Sequence, residues 1–272
     1  MNQYIYTPVN ESLLAFTPKD KQLENRVIVI SGSTGGLGTA LSKACACAGA
    51  TVVLLGRNLQ KLEALYDVLE SMQVSSGEKA PQPAIITLNQ EVATEADYQR
   101  ISEMLMEEFG KVDALIHTAV ELGVMTPIPA IAQSDWARVM SVNLTSARLL
   151  TNACLPLLEH SDNASVVFTL DDKSSAYWGA YGVSKAALHQ LMTIMVDESD
   201  TRLNDQGNAR IAINAIDPGP MRTPLRRKAF PGELESETEP PETLLGAFLS
   251  LITRNEPSLN GATLKRQIPS TN

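Results

Sequence analysis

The sequence predicts an α/β protein: one doubly wound parallel sheet with helices on both faces, folded as a single domain. Three observations carry that expectation. From Arg26 onward, short apolar runs alternate with amphipathic helical stretches, the pattern of repeated βα units. Hydrophobic residues make up 44% of the chain but aromatics only 5%, a balance that suits small side chains packed between helices and a parallel sheet. At 272 residues the chain is near the upper limit for one core, so one large domain is expected rather than two small ones.

The strands are expected in order at V-I-V-I (Val27 to Ile30), T-V-V-L-L (Thr51 to Leu55), A-I-I-T-L (Ala84 to Leu88), V-D-A-L-I (Val112 to Ile116), S-V-V-F-T-L (Ser165 to Leu170) and I-A-I-N-A-I (Ile211 to Ile216). Between the second and third, Leu62, Leu65, Tyr66, Leu69 and Met72 recur as one face of a helix requires. Tyr98, Ile101, Leu105 and Phe109 do the same after the third. Residues 1–20 have no clear place in the sheet and are expected as a surface arm, with 21–272 as the domain. Pro224 to Glu242 opens basic, turns acidic and is rich in proline, so it is expected as an irregular loop or lid. Ligands of such sheets bind beyond the carboxyl ends of the strands, which fixes where function is sought.

A formal net charge of -9 argues against nucleic acid and anionic membranes as partners. No stretch approaches the roughly 20 apolar residues that span a bilayer. The start M-N-Q-Y-I-Y lacks the charged n-region of a secretion signal, and a cytoplasmic protein is expected. Cys45, Cys47 and Cys154 read as buried small side chains of a reducing compartment, and no metal site is expected.

Directly after the first strand comes S-G-S-T-G-G-L-G, Ser31 to Gly38, followed by a helix. Glycines there let the backbone turn sharply and approach a pyrophosphate, and a helix N-terminus offers unpaired N–H groups and partial positive charge. Gly32, Ser33, Thr34, Gly36, Leu37 and Gly38 are the residues expected around the phosphates, in a Rossmann-type arrangement. At the end of the second strand Arg57 stands where an adenosine ribose would lie, and a guanidinium there can grip a 2′-phosphate. NADP(H) is therefore the expected cofactor, with NAD(H) the alternative. The bland readings are a tight strand-to-helix turn and a solvated arginine.

With this cradle, the Tyr181-Gly182-Val183-Ser184-Lys185 segment and Pro218-Gly219 in order, the chain resembles the short-chain dehydrogenase/reductase family over roughly residues 20 to 265. The run from Trp178 to Lys185 and the segment from Arg222 to Pro231 resemble its bacterial YciK-like subgroup. The resemblance implies Tyr181 as general acid/base, Lys185 as the cation that lowers its pKa, and Asn143 as the carrier of a relay water. It also implies Glu91, Val92 and Ala119 at the cofactor, and Pro218, Gly219 and Thr223 holding the nicotinamide end. A small carbonyl or alcohol substrate and a homodimer or homotetramer follow from the same likeness. The oligomer would pair the helices around Ser134 to Leu158 and Tyr181 to Asn204, the second through an apolar run that includes Met192 and Met195.

Two segments depart from that pattern. Where the family places a serine that steadies the substrate oxygen, alignment on the fifth strand puts Asp171, and counting back from Tyr181 lands on Phe168. Neither carries a hydroxyl; Ser174 and Ser175 reach the place only if the short loop folds back. After the fourth strand the chain has H-T-A-V, in which His117 reads as structural and Val120 is expected to crowd the cleft and resist a positive φ. The sequence thus supports an NADP-dependent oxidoreductase with an atypical site, the alternative being a weak or inactive cofactor-binding homologue with a regulatory or scaffolding role.

Overall fold

The computed structural model describes residues 6–19, 21–74, 76–199, 207, 209–255 and 259–267. Positions 1–5 and 20 of the expected arm, 200–204 of the expected pairing helix and 268–272 of the expected domain lie outside them. All the pairs in the sheet are parallel, in the order β1-β8-β7-β6-β5-β2-β3-β4. The strands are β1 (Thr7–Pro8), β2 (Val27–Ser31), β3 (Thr51–Gly56), β4 (Ala84–Thr87), β5 (Ala114–His117), β6 (Ala164–Thr169), β7 (Ile211–Asp217) and β8 (Thr263–Lys265). Each expected run forms a strand within a few residues of its place.

The alternation of side chains along the strands divides the core. Ile28, Ile30, Val52 and Leu54 face helices α2 (Gly36–Cys47), α3 (Leu59–Glu70) and α9 (Leu245–Thr253). Val27, Val29, Val53 and Leu55 face α4 (Glu95–Phe109), α6 (Ser146–Glu159) and α7 (Gly179–Ser199). The ends of these helices follow local chemistry. The Asn58 side chain caps α3 by accepting from the Lys61 N–H, Thr94 and Asp97 form a capping box on α4, and Gly110 ends α4 with φ 71°.

The arm expected for residues 1–20 is instead partly built into the sheet. Thr7 and Pro8 pair with Leu264 and Lys265 as the edge strand, and α1 (Glu11–Leu14) packs on α9. Gly246 permits this, because a Cβ there would run into the carbonyls of Leu13 and Leu14. A two-residue strand carries no periodicity, so only the packing reveals it. The expected irregular stretch from Pro224 to Glu242 begins with a short helix, α8 (Pro224–Ala229), whose cap is the Thr223 hydroxyl.

After β2 the chain adds β3 and β4 on one side, then returns to lay β5 on the other. The crevice between the carboxyl ends of β2 and β5 is therefore the switch point of the sheet. No helix among the described residues is long and apolar enough to cross a membrane.

In α7 the apolar run divides between two surroundings. Leu188 and Met192 are buried in the core, Leu191 and Met195 are half-buried against it, and Val183 and Ile194 stay exposed. Met192 thus belongs to the chain's own core, so within this apolar run any second buried face would be formed by the exposed and half-buried positions. Met192→Asp places an unpaired charge in that core and is expected to cost about 3–5 kcal/mol of folding stability. Chemical denaturation checks this; a variant that dissociates from an assembly yet keeps its unfolding midpoint would contradict it.

Candidate active site

The crevice opens into a cleft of about 560 Å³. Its floor is the turn after β2. Gly32 has φ 74°, and a Cβ on it would lie 2.5 Å from the Ala119 nitrogen, so the turn presses directly against the backbone after β5. A Cβ on Gly38 would collide with the Gly32 carbonyl, and one on Gly36 would come within 2.7 Å of the Thr223 side chain. No side chain caps α2, whose first residues Gly36, Leu37 and Gly38 line the cleft with Gly32 and Thr34. Ala119, Pro218, Gly219 and Thr223 line it too.

Two of the expected cofactor residues are not in this lining. Ser33 is buried and its hydroxyl donates to the Leu55 carbonyl at 3.3 Å, because the tight turn sends it down into the protein. Val92 is 73% exposed and lies outside the cleft. Arg57 lines the far end beside Asn58 and Lys61, and donates at 2.6 Å to the carboxylate of Glu91, also in the lining. This pair is well exposed on the arginine side, where such bridges contribute at most about 1 kcal/mol.

At the other end stand Tyr181 and Lys185, one turn apart on the first part of α7. The Tyr181 hydroxyl donates to Asp171 Oδ2 at 2.9 Å, and Asp171 Oδ1 accepts from Lys173 Nζ at 2.9 Å. Asp171, the residue that the strand alignment singled out, is thus in direct contact with the phenol. Lys185 Nζ donates to the Thr169 carbonyl at 2.8 Å and lies 5.9 Å from the centre of the Tyr181 ring.

These contacts correct the expected pKa of the tyrosine. Burial, followed by the Asp171 charge, pushes the phenol well above its usual value of 10, and Lys185 does not reverse this. Burial pulls Lys185 itself down to about 8, against the opposing charges of Asp171 and Asp217. Asn143, expected as the carrier of a relay water, has its side-chain amide engaged by protein groups. It lies in a π-helical turn, Ser141–Thr145, where its side chain donates to the Glu121 carbonyl and the Ser184 hydroxyl and accepts from the Glu121 N–H. Ser174 and Ser175 are exposed and outside the lining, so neither replaces the missing hydroxyl. Val120 lines the cleft without a positive φ.

A glycine cradle at the switch point, a Tyr–Lys pair across it and a proline–glycine loop above it occur here in one cleft. The model of the short chain dehydrogenases matches residues 26–234. The chain belongs to that family. It is 31% identical over 255 residues to the uncharacterized oxidoreductase YciK of Escherichia coli K12, covering 93% of this chain and 96% of YciK. A short chain dehydrogenase structure from Pseudomonas syringae is 37% identical, covers 92% of this chain and 98% of its own, and superimposes with a TM-score of 0.83. A structure from Escherichia coli CFT073, complexed with NADPH, is 31% identical, with coverages of 91% and 99% and a TM-score of 0.82.

Sequence reasoning missed several residues of this short chain dehydrogenase's cleft. Lys173, Trp178 and Phe230 line the end of it beside Tyr181. Trp178 packs 5.4 Å from the Tyr181 ring and 5.8 Å from Phe230, and Lys173 Nζ lies 5.4 Å from the Trp178 ring centre. Asp217, at the end of β7, is buried and accepts from the Gly219 N–H at 3.1 Å, holding the proline–glycine loop. The one available signal was the cluster of large aromatics, since the chain has few of them.

His117 is structural. It is stacked on Phe168 with ring centres 4.8 Å apart, and its Nε2 lies 2.8 Å from the Thr151 hydroxyl. That hydroxyl donates its own proton to the Ala147 carbonyl, so the imidazole carries its proton on Nε2. Burial, and secondarily the Lys185 charge, lowers its pKa from 6.5 to about 3. The unfolded chain therefore takes up a proton below about pH 6.5 that the folded protein refuses until about pH 3, and stability falls with pH across that window. One such group contributes a slope of up to about 1.4 kcal/mol per pH unit. Denaturation at pH 6, 5 and 4 is expected to show a steeper loss in the unmodified protein than in His117→Gln; parallel curves would refute the assignment.

Proposed function

We propose that this chain binds NADP(H) and moves a hydride between the nicotinamide and a polarised carbon, in the carbonyl or alcohol class that the family resemblance implies. The observation that carries this reading is the single cleft that joins the Gly32–Gly38 cradle to Tyr181 and Lys185. The cradle suits a pyrophosphate because close packing at Gly32, Gly36 and Gly38 leaves no room for side chains there, and the first N–H groups of α2 face the cleft without a side-chain cap. Arg57 and Lys61 supply the cations for a 2′-phosphate, and the relative complexed with NADPH supports that choice. Lys185 would reach the ribose, and Pro218, Gly219 and Thr223 the nicotinamide end. When bound, the dihydronicotinamide supplies the hydride.

Burial and the Asp171 carboxylate both favour the neutral Tyr181 phenol, which donates its proton to Asp171 in a hydrogen bond. Its proton is engaged by Asp171, and giving it up would leave a phenolate beside a carboxylate. Ordinary carbonyls are therefore expected to react slowly.

NADPH is expected to bind more tightly than NADH, and Arg57→Ala to narrow the gap, because a charge-assisted bond to the 2′-phosphate contributes about 1.5–3 kcal/mol. Fluorescence titration of both cofactors measures this, and equal affinities in the unmodified protein would remove Arg57 from the site. A panel of aldehydes and ketones is expected to show weak NADPH oxidation that rises in Asp171→Ser, since one donor to a developing oxyanion is typically worth about 100- to 1,000-fold. Tyr181→Phe on that background is expected to abolish the gain. Brisk ketone turnover that falls on Asp171→Ser would contradict this account, and tight NADPH binding with no turnover of any substrate would favour the regulatory alternative.

A further inference from the structure

The substrate end of the cleft is built for a positive charge. Its polar feature beside Tyr181 is the Asp171 carboxylate, an acceptor where an oxygen substrate needs a donor. Its wall is aromatic, formed by Trp178, Phe230 and Tyr181 in continuous contact. The cations already present use both features. Lys173 places its ammonium 2.9 Å from Asp171 and 5.4 Å from the Trp178 ring centre, and the Arg226 guanidinium lies 3.7 Å from the centre of Phe230.

We propose that the group reduced at this site is a protonated carbon–nitrogen double bond carried on a flat, aromatic frame, with its N–H on Asp171 and its frame against Trp178. This rests on the reading that the chain transfers a hydride with NADP(H) and names the substrate class of that same site. The Lys173 ammonium marks where the substrate's positive nitrogen lies. Lys173 is partly exposed, and its backbone carbonyl is seated against Gly182, where a Cβ would collide with it. The side chain can swing out while the loop stays in place. Replacing one cation on Asp171 by another leaves the charge of the pocket unchanged.

The chemistry balances without a proton from the protein. A hydride from the dihydronicotinamide forms a C–H bond at the iminium carbon, the C=N π pair becomes the nitrogen lone pair, the iminium is reduced to a neutral amine, and the dihydronicotinamide is oxidised to the nicotinamide cation. Tyr181 keeps its O–H throughout and holds Asp171 in position by donating to it. A ketone makes the opposite demand. Its alkoxide must take the Tyr181 proton, which leaves phenolate and carboxylate at hydrogen-bond distance, two like charges in a buried place. Asp171 also favours the protonated, reducible form of an imine over the neutral one.

The test compares 3,4-dihydroisoquinoline in its protonated, N–H-bearing form with 1-tetralone, a ketone of the same bicyclic frame, in a Trp136→Phe background that leaves Trp178 as the fluorescent reporter. On the NADP⁺-loaded protein, the iminium is expected to quench Trp178 with a Kd roughly ten- to a hundredfold below that of the ketone. Asp171→Asn is expected to erase the preference, and Lys173→Gln, which vacates the nitrogen's place, to strengthen iminium binding. With NADPH, the iminium is expected to be reduced with the higher kcat/KM, and Asp171→Ser to shift the ratio toward tetralone. Equal binding of the two probes, a preference that survives Asp171→Asn, or an iminium that binds and is not reduced would each overturn the proposal while NADPH binding stands. Failure to bind NADPH, read separately from cofactor fluorescence, would overturn the parent reading and this one with it.

Discussion

The site depends on how closely three backbones meet at the end of the central strands. The turn after β2 lies against the segment after β5 at Gly32 and Ala119, and α2 lies against the same turn at Gly38. A single methyl group at either glycine would need space that backbone atoms occupy, and backbone cannot move aside as a flexible side chain can. The absence of side chains there lets α2 begin within the cleft, with its first-turn N–H groups free of any side-chain cap. The loop after β7 is fitted to the same point, since Thr223 rests on Gly36 and caps α8 with its hydroxyl. The glycine turn, the loop after β7 and the start of α8 are therefore one packed unit.

A second close approach sets the chemistry. The loop between β6 and α7 is short, and Gly182 accommodates the Lys173 carbonyl where a Cβ would stand. That seating brings Asp171 onto the Tyr181 hydroxyl and Lys173 onto Asp171. The phenol then feels a carboxylate in direct contact and an ammonium that has committed a proton to the Thr169 carbonyl. Burial and the carboxylate both favour the neutral phenol, and the more distant lysine loses to them. The Tyr–Lys spacing alone could not reveal this, because it reports which residues share a helix face and not what the facing loop brings.

The same distinction explains what could be read from the sequence. Buried parallel strands are continuous apolar runs, so β2 to β7 were legible, as was the glycine turn that follows the first of them. Thr7–Pro8 and Thr263–Lys265 were not, because strands of two and three residues carry no period. Alignment on the strand led to Asp171, which contacts Tyr181, since register is carried by the sheet; counting back from Tyr181 led to Phe168, which is buried against His117. The side chains of Ser33 and Val92 lie away from the cleft, because the direction of a side chain in a tight turn depends on tertiary packing. The Arg57–Glu91 pair joins residues 34 positions apart on neighbouring strand ends, a contact that only the β3–β4 register creates.

The ion pairs around the cleft differ in what they can yield to a ligand. Arg57 is largely exposed, its bridge to Glu91 is weak in water, and a phosphate can take the arginine at little cost. Arg226 is held otherwise. Its guanidinium makes two hydrogen bonds to Glu233, at 2.6 and 2.7 Å, with both side chains mostly covered, and it stacks on Phe230. Releasing it would break a bidentate pair and a ring contact together. The first part of the segment from Pro224 to Glu242, whose composition suggested a loop or lid, is thus tied to itself through Arg226 and to the cradle through Thr223. It forms a wall that carries Phe230 into the cleft, and the cations least committed to it stand at the two ends, Arg57 largely exposed and Lys173 partly so.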